Sequence, residues 1–351
     1  MNKSTIKKTA VLTSLILIIA FCSGLVVYRA SGCVRLMDEA AVAAGRLSFI
    51  NGSQTAPTEQ QTTAPAVKPL AGDSPEPTQE VKKTEDTVHD GDCYPVVETM
   101  VNNGNMTYEN ISVRNTTDCD IDVGELLSSA LPFDIEDNRT VQVLVYHTHT
   151  CESYLDDDSG VYYDDFYPRS TDPDKGVMAV GEALVNALKL RGIGAVHDTT
   201  LHDYPSYEGS YARSWETICE YKEKYPTIKI TIDLHRDAMT SQDGTKYKPT
   251  FELEGEKAAQ IMIMSGHDTE GGFDFWDENL IFAMKLQKRC EDMYPGMTRP
   301  LNFGEFTYNM NFNNGSLLIE VGTDGNTAEE ACRSGAYLGE ALAELLIGEG
   351  G

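Results

Sequence analysis

A chain of 351 residues is long enough for one large domain or two small ones with a substantial buried core. Its 55 Asp and Glu outnumber 28 Lys and Arg, and the resulting net charge of -27 repels a phosphate backbone, which argues against nucleic acid as a partner. The 8 cysteines show no CxxC or Cys/His zinc spacing, so a cysteine-built metal centre is not expected, and Cys93 with Cys119 is a candidate disulfide.

Lys3, Lys7 and Lys8 precede an uncharged apolar run over residues 9–28. That is roughly the 20 residues a bilayer core requires of a helix. Cations on its N-terminal side place the N-terminus in the cytoplasm and everything after Arg29 outside. Residues 1–29 are therefore read as a cytoplasmic stub and single anchor, with a signal peptide cleaved near Ser23-Gly24 as the alternative. Residues 30–50 form a juxtamembrane segment in which Leu36, Ala40, Ala43, Ala44 and Leu47 stand at helical spacing. Residues 51–93 are rich in Pro, Thr, Gln and Glu and hold too little apolar surface to offset the entropy of ordering, so a flexible linker is predicted.

Residues 94–140 are read as an N-terminal extension whose segment TYENISVRN is a strand that docks on the main domain or forms a separate pad. The main domain, 141–351, carries apolar runs of strand length at 141–146, 228–234, 260–264 and 317–321. Between them, Val177, Val180, Leu184, Ala187 and Leu188 repeat at helical spacing, with Gly192 where a helix-ending glycine belongs. Residues 279–293 are a second helix, and Thr327 with Glu330 forms a capping-box spacing at the start of the last one. Strands apolar on both faces, alternating with helices, predict an α/β fold with a mainly parallel sheet and helices on both of its faces.

In open α/β sheets ligands bind outside the carboxyl ends of the strands. His147 follows the first strand, His235 follows the second, and Glu320 interrupts the otherwise apolar LLIEV. A carboxylate in such a strand costs several kcal/mol unless a buried arginine, backbone amides or a catalytic metal site compensates it. Zinc takes imidazole and carboxylate donors and keeps a fourth position open, so His147, Glu152 and His235 form a candidate ligand set. Strand alternation allows only one of His147 and His149 to face the metal, which leaves His149 as the alternative. Arg236 and Asp237 are candidates for orienting the ligand or gripping a substrate carboxylate, while His197, His202 and His267 are read as loop or surface residues.

In order, HTHTCES, IDLHRDA and LLIEVGT resemble the motifs of the stage II sporulation protein P family of membrane-anchored cell-wall hydrolases. The similarity runs from about Val141 onward and includes VGEALVNALKLRGI, HDYPSYEGSYARS and EVGTDGNTAEEA. The resemblance implies a fold like that of zinc-dependent N-acetylmuramoyl-L-alanine amidases and cleavage of peptidoglycan as amidase and as endopeptidase. It implies zinc held by a motif histidine, a glutamate and His235, with Glu320 as catalytic base. Between Glu152 and Glu182 the choice of carboxylate is open, and Cys151, standing where a small polar residue is expected, adds a thiol as a rival third ligand. As partners it implies peptidoglycan, the lytic transglycosylase stage II sporulation protein D, and stage II sporulation protein M, at the membrane between forespore and mother cell. The competing expectation is a membrane-tethered wall-binding scaffold that is catalytically silent.

Overall fold

A computed structural model of the chain describes residues 91–135, 140–268 and 271–349. The expected anchor, the juxtamembrane segment and nearly all of the linker lie outside the described residues, and among the described residues no helix is long and apolar enough to cross a membrane. In chain order the elements are β1 (Cys93–Thr99), β2 (Met106–Tyr108), β3 (Ile111–Asn115), α1 (Val123–Ser128), β4 (Val141–Tyr146), β5 (Val161–Tyr163), α2 (Val177–Leu190), β6 (Gly194–His197), α3 (Ser210–Lys224) and β7 (Ile230–Asp237). They continue as β8 (Lys246–Leu253), β9 (Glu256–Ala259), β10 (Ile261–Gly266), α4 (Trp276–Met293), β11 (Leu301–Gly304), β12 (Ser316–Thr323) and α5 (Ala328–Glu349).

The four predicted strands become β4, β7, β10 and β12, adjacent in an eight-stranded sheet of order β2-β3-β11-β10-β12-β7-β4-β6. β10 runs antiparallel to β12 and β2 to β3, while the other neighbours run parallel, so the α/β fold is mixed with a mainly parallel sheet. The TYENISVRN segment docks on the main sheet as the hairpin β2/β3 beside β11.

Period-two alternation divides each central strand between two faces. Val143, Val145, Ile230, Ile232, Leu234, Ile319 and Val321 join the large core shared with α2, α4 and α5. Leu144 and Tyr146 turn the other way and pack with Ile218 of α3 and Ile228. Helices thus lie on both faces, but unequally. The buried residues of α3 are Ser210, Ser214 and Ile218, so its N-terminal half meets the sheet through two small polar side chains and leaves room for polar groups beneath. Asp233 and His235 alternate with Ile232 and Leu234 and therefore lie on this α3 face, where Glu320 sits directly opposite His235 in the β7/β12 register.

The expected end signals are present. Gly192 has φ +84 just past α2, and Glu330 N–H donates to Thr327 Oγ1 at 3.2 Å while Thr327 N–H donates to Glu330 Oε2 at 3.0 Å. A smaller sheet, β5-β1-β8-β9, was not expected from the sequence. It is tied to the main body by Lys248, which is 2% exposed and paired with Glu330 at 2.8 Å and Asp158 at 2.5 Å. Cys93 and Cys119 are both free rather than paired, because β1 joins the small sheet whereas Cys119 follows β3 at the edge of the large one.

Candidate metal centre

β4 ends at Tyr146 and residues 147–150 turn, so the alternation that relates neighbouring strand residues stops there. His147 still follows the strand and points to the α2 face. Its Nδ1 lies 2.8 Å from the Leu234 carbonyl oxygen, which can only accept, so Nδ1 carries the proton and Nε2, 2.8 Å from His197 Nε2, accepts. A Cβ on Gly181 of α2 would stand 2.9 Å from His147 Nε2 and 2.5 Å from His197 Nε2, so the helix approaches this pair only because residue 181 is glycine. Burial first, and His197 second, lower the pKa of His147 to about 3 and keep it neutral. Glu182 belongs to the same side, 3.3 Å from His197 Nδ1. The structure therefore takes His147, the first expected ligand, away from Glu152 and His235, and takes Glu182 with it.

His149, carried round by the turn, is the histidine that reaches the α3 face. Its ring meets His235 edge-on at 5.2 Å and 89° and stacks on Tyr207 at 4.4 Å and 16°. Nδ1 faces Ser210 Oγ at 3.5 Å and Asp203 Oδ2 at 4.0 Å. The Tyr207 hydroxyl is 2.9 Å from Nε2, yet with the two rings almost parallel it meets that nitrogen from above the ring rather than along the in-plane lone pair.

Around His235 the geometry is that of a held ligand. Nε2 is 2.9 Å from Asp233 Oδ1 and Nδ1 is 3.4 Å from Glu152 Oε2. Two donors on one tetrahedral zinc stand about 3.3 Å apart, given metal–donor distances of about 2.0–2.2 Å. A metal-bound histidine ordinarily gives its other ring N–H to a carboxylate, which is the place Asp233 takes. Asp233 is in turn fixed by Thr148, whose N–H donates at 2.7 Å and whose hydroxyl donates at 2.6 Å. Asp233 is a residue the sequence reading passed over. Its signal was a carboxylate two positions before His235 in IDLHRDA, on the same face of the strand. Burial alone disfavours a charged His235, but Asp233 and Glu152 outweigh it and raise its pKa well above the ordinary value. Burial would likewise raise the Glu152 carboxyl, but His235 and Arg236 hold it at about 2.

Glu320 completes the arrangement. It is enclosed, and its Oε2 has no hydrogen-bond partner. Burial, together with Glu152 and Asp237 and against the opposing pull of His235 and Arg299, raises its pKa to about 8. That is the range in which a carboxyl exchanges protons at neutral pH.

Arg236 is 8% exposed and points away from substrate. Its backbone N–H donates to Glu152 Oε2 at 3.0 Å, and its guanidinium donates to the Ser153 and Pro168 carbonyls at 3.0 and 2.5 Å, pinning the loop that carries Glu152. Asp237 pairs with Arg299 Nη1 at 2.9 Å, a partner not foreseen. Cys151 is buried, and burial with Asp203 pushes its thiol up to about 12, so Glu152 rather than Cys151 is the charged group beside His235. His197 and His202 are not the surface residues expected. His202 is 1% exposed, with Nδ1 2.7 Å from the His147 carbonyl and Nε2 2.8 Å from Thr217 Oγ1. His267 packs on Trp276 and Phe303, beyond the end of β10, whose antiparallel direction carries it to the opposite edge of the sheet.

The donors present suit zinc in kind, with two of them already at its spacing. Among the described residues no three His, Cys, Asp or Glu side chains stand close enough to hold an ion without adjustment. His149 is the group that has to move.

Several known proteins are similar to this chain. The family model of stage II sporulation protein P matches residues 45–343. Stage II sporulation protein P of Bacillus subtilis (strain 168) is 29% identical over 224 residues, covering 58% of this chain and 50% of that protein, so the match spans half the length of the relative. Among solved structures, an N-acetylmuramoyl-L-alanine amidase from Clostridium difficile 630 superposes with a TM-score of 0.35 at 14% identity, over 60% of this chain and 96% of that one. The amidase AmiC2 of Nostoc punctiforme gives 0.33 at 13% identity, over 59% and 96%. Likeness at these scores assigns no residue a role. With the three motifs set at one sheet edge and the family model spanning most of the sequence, the chain belongs to the stage II sporulation protein P family.

Proposed function

We propose that this chain is a zinc-dependent peptidoglycan hydrolase that cleaves the amide between N-acetylmuramic acid and L-alanine, with peptide cross-links as a second target, in wall remodelling during sporulation engulfment. The observation that carries this reading is the enclosed, unpartnered Glu320 carboxyl on the same face as Glu152 and His235, themselves 3.4 Å apart. The bond class comes from the family to which the chain belongs.

In this reading His149, Glu152 and His235 hold the zinc, with His149 taking the place first expected of His147. When bound, zinc supplies Lewis-acid polarisation to a carbonyl oxygen and acidifies water. Asp233 keeps the proton of His235 on Nε2 and so leaves Nδ1 free to ligate. Arg236 holds the Glu152 carboxylate through its backbone N–H. Glu320, poised by burial, takes a proton from the attacking water and returns it to the leaving amine. The anchor at residues 9–28 would keep the domain at a membrane, with the D and M proteins of the same set as partners. The second reading, a silent wall-binding scaffold, is favoured by the present engagement of both His149 nitrogens with Tyr207 and Ser210.

Purified wall sacculi incubated with the protein, with zinc and after chelation, separate the two. Mass spectrometry should find stem peptides released from the glycan only with zinc. Release of no peptide by protein carrying stoichiometric zinc would leave the scaffold.

A further inference from the structure

Tyr207, Tyr211, Tyr308 and Phe306 form a row of aromatic rings that begins at His149. His149 stacks on Tyr207 and meets Tyr211 edge-on at 5.6 Å, Tyr211 stacks on Tyr308 at 5.5 Å, and Tyr308 stacks on Phe306 at 5.1 Å. Parallel rings at these separations are offset rather than superposed, so part of each face stays uncovered. Tyr207 and Tyr308 are 57% and 40% exposed. The row is also held in shape. Tyr308 and Asn309 have φ +41 and +59, a left-handed conformation rarely adopted by such residues, and the Asn309 amide donates to the Tyr211 carbonyl and to Ser214 Oγ, both at 3.0 Å. A loop bent this way, and pinned to α3, presents Tyr308 beside Tyr211.

The chemistry of the row selects its occupant. Tyrosine offers an apolar face with a hydroxyl at its rim, which matches a pyranose ring with C–H groups on one face and hydroxyls around its edge. Glu208 and Glu305, both exposed, flank Tyr207 and Phe306 with carboxylates, which accept hydrogen bonds from sugar hydroxyls and repel an anionic stem peptide. The cation that meets the row, Arg169, 5.1 Å over the Tyr207 ring, is paired with Asp203 at 2.5 Å. We propose that the Tyr207–Tyr211–Tyr308–Phe306 row is the binding surface for the neutral glycan strand of peptidoglycan, laying its sugar rings on aromatic faces beside the candidate metal centre. This rests on the wall-hydrolase reading and deepens it by assigning the glycan, rather than the peptide, to the α3 side.

The test uses the full chain loaded with zinc and a β1,4-linked N-acetylglucosamine tetramer, which carries the glycan backbone but no peptide to cut. Calorimetry should show tetramer binding to the parent. Tyr308→Ala should weaken it about fivefold, the effect of one aromatic contact, while Tyr308→Phe, which keeps the ring face, should stay within about twofold. Equal affinity for Tyr308→Ala and parent overturns the proposal, as does absence of tetramer binding to the parent. So does a Tyr308-dependent affinity for the free stem peptide in place of the tetramer. Because the tetramer is not hydrolysed, the two readings fail separately. Wall digestion with Tyr308-independent tetramer binding removes only the glycan row, and Tyr308-dependent binding without digestion removes only the hydrolase.

Discussion

Asp233 Oδ1 lies 2.9 Å from His235 Nε2 and so turns the ring to present Nδ1 to Glu152 Oε2 at 3.4 Å. One carboxylate orients a histidine and the other stands where a shared metal would put it. The pair makes Asp233 as consequential for the site as the ligands themselves. Asp233→Asn keeps the shape and the Thr148 contacts but loses the charge. It should weaken zinc binding about 10- to 100-fold, measured by competition with a chelator of known affinity. Unchanged zinc affinity would show that His235 does not depend on Asp233.

The two histidines of HTHT should separate cleanly. His149→Ala is expected to lose stoichiometric zinc while unfolding at nearly the parent urea midpoint. His147→Ala should keep zinc but lose about 1–3 kcal/mol of stability, because it strips a buried donor from the Leu234 carbonyl and an acceptor from His197. The opposite pattern of zinc contents would return the ligand role to His147.

Glu320 predicts a pH dependence whose sign is unusual for a carboxylate. Its ordinary value is 4.5 and its folded value about 8, so between those limits the folded chain binds more protons than the unfolded one. Its contribution is therefore neutral at acid pH and increasingly destabilising as pH rises through that window. In zinc-free protein, Glu320→Gln should match the parent near pH 4 and exceed it by roughly 1–3 kcal/mol at pH 8, read from paired denaturation curves. The same variant should lose about 10²- to 10⁴-fold in wall digestion. A Gln variant no more stable than the parent at pH 8 would mean that Glu320 is not strained by its burial.

Arg236→Met removes the donors that reach the Ser153 and Pro168 carbonyls while keeping much of the side-chain volume. A stability loss of about 2–3 kcal/mol is expected, with faster limited proteolysis within residues 153–175. If this loop is cut no faster than in the parent, the guanidinium is not what holds it.

Much of the fold was legible because the central strands are buried on both sides. β4, β7, β10 and β12 read as continuous apolar runs, and α2 and α5 carried end signals in Gly192 and in the Thr327–Glu330 box. What escaped was what does not follow that pattern. α3 buries only Ser210, Ser214 and Ile218, so no apolar stripe marks it. β8 carries Lys246 and Lys248, which read as exposed charges and are buried only because Asp324 and Glu330, some eighty residues further on, come to meet them.

The site divides the same way. The sequence by itself determined that His235 and Glu320 end neighbouring apolar strands, because period-two alternation and the sheet-edge rule are local facts. Only the tertiary structure decided which histidine joins them. Alternation holds as far as Tyr146 and then gives way to a turn, so the direction of His149 is set by what it packs against: Tyr207, Tyr211 and His235, from segments 58 to 86 residues away.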